Sequence, residues 1–203
     1  MLDALPTVPF SQGTHLLRSF AAEDLDLGMS PQPTLLAYEG ERALATVMLR
    51  PFADGEVVEA VLEVLGLLLP LGTDRLVLSL PGRAWSALDP IAPVTAEADL
   101  RQRVLLICVA DGTELPAAVR VELHGIELAA EGWRWDASVG AAEEVQSPLL
   151  DVLRLLLDAR GRLLDTRTDL RIATQYGRVL LRGHDLHLSA LAAERLEEHS
   201  RVG

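Results

Sequence analysis

Two histidines and a carboxylate stand together at His184-Asp185-Leu186-His187, the only concentration of metal-capable side chains in the sequence. Such a set can bind zinc or another divalent metal, or iron if two cis positions stay open. It would make the protein a metal-dependent hydrolase that uses His184, Asp185 and His187. The competing reading is a turn after Gly183 in which Asp185 caps the helix that follows.

A second chemistry is written in two places. Ser79-Leu80-Pro81-Gly82-Arg83 and Thr174-Gln175-Tyr176-Gly177-Arg178 each set a hydroxyl, a glycine and an arginine at the end of an extended segment. Backbone N–H groups and a guanidinium in that arrangement suit a small anion, through Ser79, Gly82 and Arg83 in one copy and Thr174, Gly177 and Arg178 in the other. Read plainly, both are turns with solvent-facing arginines. Trp133 and Trp135 alternate along one extended stretch, so both project from one face, either onto a protein partner or onto the core beneath. Cys108 lies inside the apolar run Val104–Ala110, where a thiol acts as a small buried hydrophobe. A pairing with His124 on the next strand is therefore a poor nucleophile. All 18 basic residues are arginine, so no Schiff-base or general-base lysine exists.

The elements that must position these groups follow from periodicity and turn residues. Residues 1–33 read as an irregular N-terminal segment with a short helix near 15–23. Thr34–Glu39 and 42–50 read as strands around the Glu39-Gly40-Glu41 turn. A helix runs from Gly55 to about Leu69, with Glu56, Glu59 and Glu63 as its only polar stripe, so it needs cover on most sides, from a second layer or another subunit. Arg75–Leu80 is a strand, Pro81-Gly82 a turn and 86–101 a linker.

Beyond the linker, strands are expected over 102–110, 118–128 and 133–136, and a helix capped by Ser147-Pro148 over 148–159. Further strands are expected at 170–174 and 179–181. Residues 183–203 hold a C-terminal amphipathic helix. Each half, 34–85 and 102–182, thus reads as a ββαβ unit: a leucine-rich helix, a glycine, an extended segment and Gly-Arg. The similarity fits an internal duplication, or two leucine-rich helices alike by composition. The fold class is α+β, with a mostly antiparallel sheet in one compact domain.

Composition narrows the function classes. The net charge of −12 repels nucleic-acid backbones and anionic membrane surfaces. Only residues 154–182 run the other way, with seven arginines against three aspartates. A solvated or paired face is the simplest account of that stretch. No apolar run approaches the ~20 residues needed to span a bilayer, and Met1–Phe10 has no basic, apolar leader pattern, so a soluble cytoplasmic protein is expected. With no coherent catalytic set, the sequence reads best as a non-catalytic module that binds a protein partner or forms a homo-oligomer, without a cofactor.

Overall fold

A computed structural model describes residues 8–53, 55–84, 101–136, 147–160 and 168–201. In chain order the elements are α1 (Phe10–Asp26), β1 (Thr34–Glu39), β2 (Arg42–Met48), α2 (Val57–Leu68), β3 (Arg75–Ala84) and β4 (Gln102–Asp111). They are followed by β5 (Ala118–Ala129), β6 (Gly132–Trp135), α3 (Pro148–Ala159), α4 (Thr168–Leu181), β7 (Asp185–Leu188) and α5 (Ala190–Arg201). The strands form one seven-stranded sheet in the order β6-β5-β4-β3-β1-β2-β7. Every neighbouring pair is antiparallel. This is the α+β fold read from the sequence, leucine-rich helices and C-terminal helix included.

The central strands are apolar on both faces because both faces are covered. On β1, Leu35 and Ala37 join a large core with α2, α3 and α4, while Leu36 and Tyr38 join a smaller one under α1. β3 divides the same way, with Leu76, Leu78 and Leu80 on one side and Val77 on the other. Two-residue alternation makes that division automatic, so a nearly continuous apolar run marks a strand between two layers.

On the large side α2 buries Ala60, Val61, Val64, Leu65, Leu67 and Leu68. Its cover is intramolecular, from the sheet, α3 and α4. Gly66 lets α4 come close: a Cβ there would lie 3.1 Å from the Gln175 amide nitrogen. Gln175 Nε2 donates to the Glu63 carbonyl at 2.7 Å. α3 begins as its sequence prescribes, with Ser147 Oγ accepting from Leu149 N–H and Pro148 at the first helical position. α5 closes the far side, where the Arg195 guanidinium donates to the Leu71 carbonyl and to both Glu39 oxygens.

On the other side α1 runs for 17 residues, longer than the short helix expected within an irregular segment. Leu17, Ala21 and Leu25 form its buried stripe. The helix ends in a Schellman motif: Gly28 N–H donates to Leu25 O at 2.9 Å and Met29 N–H to Asp24 O at 2.8 Å, with Gly28 left-handed at φ 71°. The Gly28 carbonyl then accepts from Trp133 N–H at 3.1 Å. α1 is thereby tied to the β5–β6 turn.

Three further expectations change. The stretches 170–174 and 179–181 are not strands but parts of the single helix α4, in which Ile172 and Val179 are buried in the large core. A buried i, i+7 stripe with Tyr176 between fits a helix, and two short apolar runs imitated strands. Pro81-Gly82 is not a turn, because β3 continues to Ala84 against β4 as far as Gln102. Proline is tolerated there since β1 has already ended, with its last pair at Thr34–Ser79. The internal duplication is not confirmed: the second unit carries α4 where the first carries β3. Of the expected linker, 86–101, all but Arg101 lies outside the described residues.

Candidate functional site

A polar cluster of four side chains gathers around Glu63 on α2. Its Oε2 accepts from Arg50 Nε at 3.0 Å and lies 2.8 Å from His184 Nε2. Oε1 accepts from Arg50 Nη2 at 3.4 Å and lies 3.6 Å from Arg182 Nε. His184 Nδ1 accepts the backbone N–H of Arg50 at 3.2 Å. A backbone N–H can only donate, so the imidazole proton sits on Nε2 and points at Glu63. Burial pushes the Glu63 carboxyl upward. The hydrogen bonds from Arg50 and His184, with the charges of Arg50 and Arg182, overcome that and hold it below its ordinary value.

That geometry separates the His184, Asp185 and His187 group. His184 is buried and both of its ring nitrogens are engaged. Asp185 and His187 belong to β7, opposite Met48 and Thr46, while Leu186 and Leu188 turn to the large core. Alternation therefore puts Asp185 and His187 on the α1 side of the sheet and His184 on the other. His187 Nε2 lies 3.2 Å from Asp185 Oδ1 without hydrogen-bond geometry. Among the described residues no group of three metal-capable side chains converges.

The two Gly-Arg segments occupy different kinds of element. Ser79 is buried within β3, with its Oγ 3.5 Å from the Thr34 carbonyl, while Gly82 and Arg83 lie near the exposed end of that strand. Arg83 stands opposite Arg103 of β4. Thr174, Gly177 and Arg178 belong to α4, and Arg178 lies in its last turn, where a cation suits the helix dipole. A strand end and a helix interior are not related by a pseudo-twofold, so the paired-loop arrangement is not formed. A Cβ at Gly177 would meet nothing within 4 Å. Gly177→Ala is expected to raise the stability by about 0.5–1 kcal/mol, read as a higher Tm. A lower Tm would mean that the glycine has a role the helix does not explain.

Cys108 and His124 also part company. Cys108 pairs with Val121 and faces the large core, whereas His124 pairs with Leu105 on the α1 side. Burial pushes the Cys108 thiol up to about 12.

The tryptophans sit where alternation put them, on one face of β6, opposite Leu128 and Ile126 of β5. Trp133 packs against the α1 core with the Arg103 guanidinium 4.9 Å from its ring centre. Trp135 is 39 % exposed and meets His124 edge-on at 6.0 Å. Leu128 on the same face is 56 % exposed. Arg134 points the other way and pairs with Glu127 at 2.6 Å.

Sequence reasoning singled out neither Arg50 nor Glu63 as members of one cluster with His184. They stand 134 and 121 residues from it, and no local pattern links them. Comparison with protein-family models, curated proteins and solved structures finds no match to this chain, so the geometry alone carries the functional reading.

Proposed function

We propose that this chain is a non-catalytic module that acts by self-association, with the β5–β6 edge of its sheet as the binding surface. The observation that carries this reading is the exposed pair Trp135 and Leu128 on one face of the terminal hairpin. A tryptophan joins a rigid apolar body to a polar tip and is among the residue types enriched at interface hot spots. The leucine-rich helices no longer argue for a partner, because α4 and the sheet already cover α2. The Glu63 cluster gives no support to a hydrolase, since its members satisfy one another. No helix among the described residues is long and apolar enough to cross a membrane.

Light scattering during size exclusion tests the reading. The wild-type chain should show twice the monomer mass in the micromolar range, and Trp135→Ala or Leu128→Ser should shift the population toward monomer. A wild-type monomer at every concentration would remove the proposal.

A further inference from the structure

β5 outruns its outer neighbour. β6 pairs only with residues 126–129, and the Gly125 carbonyl accepts from Asp136 N–H at 2.8 Å. No described strand pairs with Ala118–His124 on that side. The direction of the backbone groups left without a described partner follows from that last bond. Gly125 turns its peptide groups away from β4, and the β4–β5 register runs without a shift from Gly125 to Ala118. Period-two alternation then aims the N–H and C=O groups of Leu123, Val121 and Val119 outward as well.

We infer that a second copy of this chain pairs with this edge, β5 against β5 in antiparallel register about a two-fold axis at Val121, giving one continuous sheet across the dimer. This rests on the self-association proposed above and names its partner and register.

Charge complementarity favours a second copy as the partner of this edge. Val121 opposes Val121 of the second copy, and Val119 opposes its Leu123. These are the residues whose backbone groups point outward, and each such pair exchanges both of its N–H···O bonds. Between them Arg120 falls opposite Glu122 of the second copy, and the axis repeats that contact. Both side chains lie on the α1 side of β5, with Arg120 exposed and Glu122 partly so. Charged residues on an edge strand ordinarily discourage strand addition. Here they discourage only the wrong registers. An axis at position 120 would set arginine against arginine, and one at 122 would set glutamate against glutamate.

Sedimentation equilibrium of the full chain tests this with Arg120→Glu, Glu122→Arg, the double exchange and Val121→Pro. Each single exchange creates two like-charge contacts and should weaken the dimer roughly 30-fold. The double exchange should return the dissociation constant to within about threefold of wild type, because opposite charges again face each other. Val121→Pro removes an outward N–H that β4 does not use, and should abolish the dimer while leaving the far-UV spectrum native. If proline disturbs the fold, the charge exchanges decide. A dimer indifferent to the single exchanges, or a double exchange that does not recover, would overturn this register and leave self-association standing through another surface. A monomeric wild type would remove both.

Discussion

Replacing Glu63 by glutamine is expected to lower the free energy of unfolding by about 3 kcal/mol at neutral pH. The carboxylate is only 14 % exposed and is the single acid shared by Arg50, His184 and Arg182. A carboxamide keeps the shape and can still accept one bond. It leaves the largely buried Arg50 guanidinium with only the half-exposed Glu56, 3.8 Å from its Nη1, as counter-charge, and the loss of the closer partner dominates the cost. Urea denaturation reads the difference, and equal midpoints for the two proteins would show that the cluster contributes nothing net.

The pH dependence has a definite sign. The folded carboxyl titrates below its ordinary value, so its contribution is complete above the unfolded pKa of about 4.3 and is lost as the pH falls through the lower folded value. The glutamine variant lacks that component. The two stability curves should therefore stay apart at neutral pH and converge in acid. Curves that remain parallel down to the acid transition would place the effect elsewhere.

Gly132→Ala is expected to cost about 3 kcal/mol, for a different reason. Gly132 has φ 122°, a conformation that side chains rarely adopt. A Cβ there would lie 2.7 Å from Gly28 Cα and 2.8 Å from the Gly28 oxygen. Both atoms are backbone, fixed by the Schellman motif that ends α1, so no rotamer change relieves the contact. The strain falls on the tie between α1 and the β5–β6 turn. Trp133 should lose part of its cover, and its fluorescence should move to the red before the global transition. A variant with wild-type stability and an unshifted emission maximum would show that the helix end yields without cost.

Much of the architecture was legible because neighbouring residues decide it. Gly40, left-handed at φ 56°, makes the β1–β2 turn, and Ser147-Pro148 starts α3. The continuous apolar runs of β1, β3 and β4 announce strands buried on both faces. Legibility failed where tertiary context decides. Whether Pro81-Gly82 turns the chain or continues a strand depends on how far β1 extends alongside, which the residues near Pro81 do not encode. Ile172, Tyr176 and Val179 have helical spacing, but the short apolar runs around them resemble strands equally well until α2 and α5 are known to flank them. The site fared worst. His184 stands out in sequence for its neighbours, Asp185 and His187, although strand alternation separates them and its partners come from α2 and from Arg50, just after β2. Arg120 and Glu122 become meaningful only once β5 is known to outrun β6.

The strand order also sets a timetable. β1, β2, α2 and β3 are neighbours in sequence and can assemble as soon as they exist, yet among the described residues the outer flank of β2 is paired only by Asp185–Leu188, late in the chain. During synthesis, Ala45–Met48 therefore waits through more than a hundred residues with open backbone groups beside apolar side chains, the condition under which nascent strands pair with the wrong neighbour. The clamps that hold this seam, His184 to Glu63 and Arg195 to Glu39, likewise form last. Chains released before Asp185 should accumulate in the insoluble fraction, and refolding of the complete chain should be limited by this long-range closure rather than by its hairpins.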